Sequence, residues 1–387
     1  MTQSLRGFAD AEYRARLDRA QAAMRDEGLA ALLLTTEPEI RYFTGFLTRF
    51  WESPTRPWFL LVPASGAPVA VIPAIGAHLM SQCRIDDIRT WSAPDYEDDG
   101  VGLLADTLAE LVPADGEVGV PDQIETHLRM PLASFRRLEG LLGNRRLTGD
   151  RSIMRHLRMI KSDAEIAKIA AACDIADRAF ARVPLIARPG VPLTAVFRDF
   201  QILCLEQGAD WVPYLAGAAD RGGYGDVISP ATEAQLAEGD VLMLDTGLVW
   251  DGYFCDFDRN FAIGGTGPRA AYAHERLLEA VQAGAEAARP GARACDLFAA
   301  MERILDPDGE VPVRGRLGHG LGMQLTEWPS LIPQDETELQ PGMVLTLEPV
   351  AAPREGRIMV HEENIVIREE GPVFLSEFRR GPMPVLG

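Results

Sequence analysis

The amino-acid sequence predicts two domains of mixed α/β class. The chain has 387 residues, which is more than a single ordinary hydrophobic core holds. Helical and strand-like patterns alternate through the first part of the chain, and a long amphipathic pattern begins after them. We therefore expect an N-terminal domain over residues 1–150 and a C-terminal domain over residues 155–387.

Elements of the N-terminal domain follow from apolar spacing and turn residues. A helix is expected from about residue 9 to Gly28, because apolar residues recur at helical intervals and glycine is a typical C-cap. The run "AALLLTT" predicts a strand, and "PWFLLVPASGAPVAVIPA" predicts two strands joined by a tight Ser-Gly turn. Further helices are expected around residues 101–112 and 131–142.

The C-terminal domain begins with a long predicted helix. Ser162 and Glu165 predict a capping box at its start, in which each side chain accepts a hydrogen bond from the other residue's backbone N–H. The tripeptide "RPG" ends this helical region. Further helices are expected near residues 269–288 and 294–305, and strand pairs at residues 240–263 and 343–368.

Composition and charge limit the classes of partner. The net charge of −19 argues against nucleic acid and anionic membrane surfaces. The N-terminus is polar and no apolar run of about 18 residues occurs, so we expect neither a signal peptide nor a membrane span. The five cysteines are scattered without CxxC spacing and predict reduced thiols in a cytoplasmic protein (Cys83, Cys173, Cys204, Cys255 and Cys295).

The segment "LDTGLVWDGYFCDFDRNF", residues 244–261, is unusually rich in acids. It contains four aspartates among apolar residues: Asp245, Asp251, Asp256 and Asp258. An Asp-Gly pair between two apolar runs is a strong hairpin signal, so residues 251–252 are expected to form the turn. Buried carboxylates without partners are costly, and the flanking "VLML" and "NFAI" favour burial. A bound cation is therefore predicted, with a solvated hairpin face as the alternative.

The hairpin turn fixes which residues lie opposite one another. Asp245 is then opposite Asp258, and Gly247 is opposite Asp256. Asp245 and Asp256 become diagonal neighbours on one face, with backbones roughly 7–8 Å apart. Two acids at that separation can bind cations between them, and we expect Gly247 to leave the space in front of Asp256 open.

Three later segments add candidate ligands. His319 lies between glycines in "GRLGHGLGMQLTEWPS", Glu348 ends an apolar run in "PGMVLTLEPV", and Glu362 and Glu363 lie in "RIMVHEENIVI". A glutamate in such a run is almost never fully buried unless it is paired. Two aspartates, one histidine and two glutamates suit two divalent ions such as Mn, Fe, Co or Zn.

In this order and spacing the segments resemble the pita-bread metallopeptidase superfamily, which includes methionine aminopeptidase, aminopeptidase P, prolidase and creatinase. The resemblance covers about residues 155–375, and the first 150 residues resemble the creatinase/prolidase N-terminal domain, most clearly at "IRYFTGF". It implies a homodimer and two divalent ions. The ligands that it implies are Asp245, Asp256, His319, Glu348 and Glu363, with Asp256 and Glu363 bridging the two ions.

The chain departs from these peptidases at two histidines, which the family uses to hold the substrate and stabilise the transition state. No histidine occurs between residues 157 and 273, where the first is expected, and Thr326 stands in place of the second. Metal-dependent dimethylsulfoniopropionate lyases of the same fold also lack these histidines and share the "EWP" that follows Thr326.

Two other residues differ from the family pattern or add to it. The family usually has Thr or Ser at the position of Asp258, which is expected to serve as an extra ligand or a proton acceptor, or else to pair with Arg259. His361 lies two residues before Glu363 and so points to the same strand face. It either replaces a missing imidazole and contacts the substrate or lies at the surface.

Aromatic residues are candidates for substrate contact. Trp51 lies in "RFWESPTRPWF", residues 49–59, with Trp58 and Phe59, which are better explained by core packing. The resemblance implies that this loop reaches toward the partner's active site in a dimer, where aromatic faces suit a cation or a proline ring. Trp211 and Tyr214 lie where the family lines its substrate pocket.

The reaction expected first is hydrolysis of an amide-type C–N bond in a small molecule or dipeptide. Glu348 is expected to accept a proton, and Thr326 or Tyr214 to orient the substrate. The alternative is a lyase of the same fold that cleaves a C–S bond to give acrylate, with Asp258 as proton acceptor. A third possibility is a metal-bound binding protein without turnover.

Overall fold

The computed structural model describes residues 6–53, 56–308 and 315–387. The chain divides into two compact units, Leu5–Arg158 and Met159–Gly387. Both contain helices and sheets, which confirms the predicted α/β class. None of the helices in the described ranges is both long enough and apolar enough to cross a lipid bilayer.

The first unit is built on one mixed six-stranded sheet. Its strands are β1 (Ala31–Leu34), β2 (Phe59–Pro63), β3 (Val69–Pro73), β4 (Asp87–Trp91), β5 (Glu117–Val120) and β6 (Arg146–Gly149). Its helices are α1 (Asp10–Glu27), α2 (Glu37–Thr44), α3 (Ala77–Met80), α4 (Val101–Leu111), α5 (Leu132–Leu141) and α6 (Ile153–Met159), with 3-10 turns at Phe50–Glu52 and Ala74–Gly76. The sheet order is β4-β3-β2-β1-β5-β6, and the β1–β2 and β2–β3 pairs are antiparallel.

Local signals explain these elements. Gly28 has a φ of 72°, the left-handed conformation that glycine adopts without strain, and it caps α1 as predicted. The hairpin of β2 and β3 also forms as predicted. Leu104 and Leu108 of α4 pack in one apolar cluster with Phe59 of β2. Trp58 and Phe59 are buried, which confirms that they belong to the core.

The second unit contains two larger sheets and one small one. Its strands are β7 (Trp211–Arg221), β8 (Asp240–Trp250), β9 (Tyr253–Phe254), β10 (Phe257–Ile263), β11 (His319–Gly320), β12 (Glu327–Ser330), β13 (Val344–Leu347), β14 (Val350–Arg354), β15 (Arg357–Val360), β16 (Glu363–Arg368), β17 (Gly371–Phe374) and β18 (Val385–Leu386). Its helices are α7 (Asp163–Phe180), α8 (Leu193–Gln207), α9 (Pro268–Ala287) and α10 (Ala294–Leu305), with a 3-10 turn at Val183–Leu185. The sheet orders are β18-β10-β8-β7, with β9 beside β8, then β12-β11-β13-β16-β17, and β14-β15.

The predicted hairpin register is confirmed. Asp251 and Gly252 have φ values of 48° and 79°, as a tight hairpin turn with two left-handed residues requires. Trp250 pairs with Tyr253, and at the far end Asp245 of β8 pairs with Asp258 of β10. The turn chemistry therefore places the aspartates opposite one another as the sequence indicates.

Helices α9 and α10 cover the sheet that contains β13 and β16. Leu297 and Met301 of α10 pack with Leu345 of β13 and Ile365 of β16, and all four are buried. At the start of α7, the Ser162 hydroxyl accepts from the Glu165 backbone N–H at 3.3 Å, and the Glu165 carboxylate accepts from the Ser162 N–H at 3.0 Å, which confirms the capping box.

The cysteines are consistent with the sequence prediction. All five are unpaired, and Cys173, Cys204 and Cys255 are buried. Burial is the main cause that raises the pKa of each of these three thiols, so they are unreactive at neutral pH. The reduced state and the cytoplasmic location both stay predictions.

Candidate metal centre

Five polar side chains, located on separate strands or directly beside them, meet in the second unit. They are Asp245 of β8, Asp256 before β10, His319 of β11, Glu348 after β13 and Glu362 before β16. The ligand atoms of Asp256, His319 and Glu348 all lie within 4.8 Å of one another, and so do those of Asp245, Asp256 and Glu362. We call these five residues the metal centre.

His319 is oriented by its own backbone. Its Nδ1 lies 2.7 Å from the Gly320 carbonyl oxygen, so this nitrogen donates and Nε2 is directed at the acids. Nε2 lies 2.8 Å from Glu348 Oε1 and 3.3 Å from Asp256 Oδ2. Burial lowers the pKa of His319, but the neighbouring Glu348 and Asp256 outweigh this effect and raise it to about 10. The imidazole is therefore a cation when no metal is bound.

The remaining acids repel one another. Burial raises the pKa of Asp245 well above its usual value, and the nearby carboxylates of Asp256 and Asp258 raise it further. Glu362 is shifted in the same direction by burial and by Asp245. Asp256 is raised to about 6 by burial, although His319 opposes the shift. A divalent cation bound among these carboxylates would stabilise their charged forms.

The residues fit a pair of divalent ions. Asp245 Oδ1 is buried and has no hydrogen-bond partner among the described residues. An unsatisfied buried oxygen is costly, and metal coordination is one of the few ways to compensate it. The two groups of three potential ligands share Asp256. Oxygen ligands with one imidazole suit Mn, Fe, Co or Zn.

The structure corrects one predicted ligand. Glu362, and not Glu363, lies with Asp245 and Asp256. Successive side chains of a strand point to opposite faces, so only one of the two adjacent glutamates can reach the metal centre. Glu363, the predicted ligand, lies outside both ligand groups of the described residues.

Glu363 belongs to a separate network, which we call the back cluster. Its members are Asp177, Arg259, His361, Glu363 and Ser376. Glu363 accepts from Arg259 at 3.1 Å, from His361 at 3.0 Å and from the Ser376 hydroxyl. Burial raises the pKa of Glu363, but Arg259 and His361 reverse this effect and hold it below its usual value. This carboxylate is fully paired without a metal.

Two further expectations are corrected by the same geometry. Asp258 is fully buried and accepts from the Glu362 backbone N–H at 2.6 Å and from Asn260 at 3.0 Å. Each of its two carboxylate oxygens therefore has a donor within the protein. His361 is buried, which corrects the expected surface position, and it pairs with Glu363 in the back cluster.

Gly247 does not leave open space in front of Asp256. A Cβ atom at this position would overlap Leu325 Cδ1 and would lie 3.3 Å from Tyr214 Cβ. The glycine leaves room for the Leu325 side chain, which packs directly on β8. This contact fixes the residue that precedes Thr326.

The other predicted substrate residues are found in different places. Tyr214 of β7 pairs with Gly247 of β8, and its hydroxyl lies near Asp245. Trp211 is at the start of β7, opposite Val249. In the first unit, Trp51 packs edge-on against Phe46. Residues 54 and 55 of the loop at 49–59 lie outside the described residues.

Several residues that support the metal centre were not predicted. The Asn364 side chain binds both the N–H, at 3.0 Å, and the carbonyl oxygen of Asp256. The Thr346 hydroxyl accepts from the His319 N–H at 3.0 Å and donates to Glu348. Asn364 and Thr346 are buried polar residues, and each lies two positions from a ligand on the same strand face. This spacing is visible in the sequence. Arg316, which donates to the Thr326 hydroxyl at 3.3 Å, was also missed.

Comparisons with known proteins agree with this architecture. Residues 167–369 match the model for metallopeptidase family M24, and residues 16–160 match the creatinase/prolidase N-terminal domain. A probable dipeptidase PepE of Mycobacterium tuberculosis is 31% identical over 381 residues, covering 95% of each chain. A Xaa-Pro dipeptidase of Pyrococcus horikoshii is 30% identical over 232 residues, covering 59% of this chain and 65% of its own.

Solved structures show the same fold. The crystal structure of dipeptidase PepE from Mycobacterium ulcerans superposes with a TM-score of 0.84 at 28% identity, covering 98% of this chain and all of that one. A prolidase from Thermococcus sibiricus also gives 0.84, at 22% identity and over the same shares of the two chains. The chain therefore belongs to metallopeptidase family M24 and is a metallohydrolase, with a creatinase/prolidase-type domain followed by a pita-bread domain.

Proposed function

We propose that this protein is a dinuclear metal-dependent hydrolase that cleaves an amide-type C–N bond in a small substrate such as a dipeptide. The observation that supports this most strongly is the pair of ligand groups that share Asp256. The dipeptidase names of the relatives support a peptide-type substrate. The same proposal includes a homodimer located in the cytoplasm.

The proposed ligands are the five residues of the metal centre. Asp245, Asp256 and Glu362 hold one ion, and Asp256, His319 and Glu348 hold the other. Bound divalent ions supply a more acidic water molecule and a Lewis acid for the scissile carbonyl. Mn, Fe, Co and Zn all suit this mixture of carboxylate and imidazole ligands.

Glu348 is the proposed proton acceptor. Its side chain is 15% exposed, whereas His319 beside it is 3% exposed, so a substrate can approach the glutamate. Burial raises the pKa of Glu348, but His319 and the Thr346 hydroxyl lower it to about 2 overall. The carboxylate is therefore ionised at neutral pH and able to accept a proton.

Tyr214 and Thr326 are proposed to orient the substrate. Burial and the nearby Asp245 raise the pKa of the Tyr214 phenol, which keeps its proton available for donation. The Thr326 hydroxyl is half-buried and stands where related peptidases carry a histidine. Both residues can donate to a carbonyl oxygen or a carboxylate.

We favour hydrolysis over the lyase reaction because the lyase needs Asp258 or another free carboxylate to remove an α-proton. Both Asp258 oxygens accept hydrogen bonds from the protein, and its side chain is buried. Dimethylsulfoniopropionate, the sulfonium substrate of such lyases, distinguishes the two reactions by their products.

The test combines metal analysis with labelled water. Protein purified without chelator should contain close to two equivalents of a divalent metal, by elemental analysis. A panel of Xaa-Pro dipeptides, other dipeptides, N-acyl amino acids and dimethylsulfoniopropionate is then incubated in ¹⁸O-water. Incorporation of ¹⁸O into a new carboxylate supports hydrolysis. Acrylate without ¹⁸O would identify a lyase, and metal without any product would indicate a binding protein.

A further inference from the structure

Arg316 lies beside Thr326, and no carboxylate of the described residues is in direct contact with its guanidinium. Its guanidinium donates to the Thr326 hydroxyl at 3.3 Å. Over residues 6–53, 56–308 and 315–387, no acidic oxygen lies within ion-pair distance of it. A guanidinium has five N–H donors, and among the described residues only the Thr326 hydroxyl accepts from one of them.

Arg316 is close in sequence to a residue of the metal centre. It lies three residues before His319, on the chain segment that leads into β11. Burial raises the pKa of both Asp256 and Glu348, and the positive charge of Arg316 is among the influences that lower them. The guanidinium therefore favours the charged forms of both carboxylates.

The environment of Arg316 suits an anionic ligand. Both Arg316 and Thr326 are half-buried, so the pair is accessible yet partly shielded from water. Charge-assisted hydrogen bonds are stronger in such surroundings, and the planar guanidinium binds carboxylates through two parallel bonds. A hydroxyl beside it adds a third donor once it turns toward the ligand.

We propose that Arg316 and Thr326 bind a carboxylate of the substrate. The substrates are then small amides with a free carboxylate near the scissile bond, such as dipeptides or N-acyl amino acids. This inference rests on the proposed hydrolysis at the metal centre and assigns its substrate class. The anionic group is held at the Glu348 side, while the amide carbonyl lies over the metal centre.

The first experiment compares matched substrates. Wild-type protein and Arg316→Gln are assayed with dipeptides and N-acetyl amino acids, each with a free carboxylate or as the corresponding C-terminal amide. We expect Arg316→Gln to raise KM for the carboxylates roughly 10- to 100-fold, as for loss of a charge-assisted hydrogen bond. The KM of the amides should stay within about twofold of the wild-type value, and kcat should change little for either group.

Two controls separate binding from structure. Arg316→Lys keeps the charge but not the two parallel bonds, so its KM should be intermediate. Metal content and melting temperature are measured for every variant. A purely structural role of Arg316 would reduce activity equally on carboxylates and amides, and that result would overturn the proposal.

The second experiment does not depend on turnover. Binding of benzoate and of benzamide to Zn-loaded protein is measured by calorimetry for wild type and Arg316→Gln. Benzoate should bind more tightly than benzamide, and the variant should lose this preference with its metal retained. If the preference survives in the variant and disappears on metal removal, the ions bind the carboxylate and the proposal is wrong. If no amide is hydrolysed but benzoate binding needs Arg316, the anion site stands and the proposed function fails.

Discussion

The metal centre and the back cluster lie on opposite sides of one short segment, which contains Glu362 and Glu363. The two regions differ in how the charge of a buried carboxylate is compensated. In the back cluster, Glu363 accepts from Arg259, His361 and Ser376, so its charge is compensated by the protein. In the metal centre the four carboxylates face a single imidazole, and Asp245 Oδ1 has no partner in the described part of the chain. Burial of a carboxylate alone does not distinguish a candidate metal ligand from a paired structural acid, whereas a buried oxygen without an internal partner points to a bound cation.

Replacing Glu362 and Glu363 with glutamine, one at a time, should give the largest difference between the metal centre and the back cluster. Glu362→Gln should reduce bound metal from about two equivalents to one or fewer and lower kcat/KM by more than about 100-fold, because a ligand affects the metal more than an outer residue does. Elemental analysis and steady-state assays measure both effects.

Glu363→Gln is the matched control. It should keep its metal and retain activity within about tenfold, since Glu363 lies behind the ligands. It should lower the free energy of unfolding by roughly 3 kcal/mol, because Arg259 loses a buried partner. If Glu363→Gln lost metal while Glu362→Gln kept it, the placement of the two residues would be reversed.

Much of this arrangement follows from local sequence signals. The Asp251-Gly252 turn and the strict alternation of strand side chains fixed the register that brings Asp245 opposite Asp258. Ser162 and Glu165 lie in one helical turn, so their capping box required no knowledge of the rest of the chain.

Other features depend on contacts that a single segment does not reveal. Glu362 and Glu363 have the same chemistry, and the partner of Glu363, Arg259, is distant in sequence. The sequence of this segment alone does not show which of the two glutamates faces the metal centre. A shift of one residue would exchange the two faces of the strand. The packing of Leu325 on Gly247 likewise joins a loop to a strand far from it in the chain.

The two regions should also differ in how they respond to pH. A metal ion must displace the proton of His319, whose pKa is raised to about 10 by its acidic neighbours. It must also displace protons from Asp245 and Glu362, because the pKa values of both carboxyl groups are raised. The affinity of the metal-free protein for Mn²⁺ should therefore increase with pH between 6 and 8, about tenfold per unit for each proton released.

Calorimetric titration of Mn²⁺ in buffers with different ionisation enthalpies measures the number of protons released. Glu363→Gln serves as the control and should release the same number, because Glu363 has a lowered pKa and does not bind metal. An affinity that is independent of pH, with no proton release, would show that the ligands are already deprotonated in the metal-free protein.

The smallest expected effect comes from Gly247, which tests how tightly the substrate side of the metal centre is packed. In Gly247→Ala the new methyl group overlaps Leu325 Cδ1, so Leu325 must move and Thr326 moves with it. Overpacking of this kind costs about 1–3 kcal/mol of stability, and metal content should be unchanged because Asp245 keeps its place. Chemical denaturation and elemental analysis measure the two quantities.

The control for backbone effects is Gly225→Ala, because no atom lies within 4 Å of a Cβ at that glycine. This variant should change stability by less than about 0.5 kcal/mol. Leu325→Ala removes the overlapping atoms, so the double variant with Gly247→Ala should be more stable than the sum of the single changes predicts, by about 0.5–3 kcal/mol. Additive effects would mean that Gly247 and Leu325 are not in contact. The Leu325 side chain would then not be what fixes the position of Thr326 beside the metal centre.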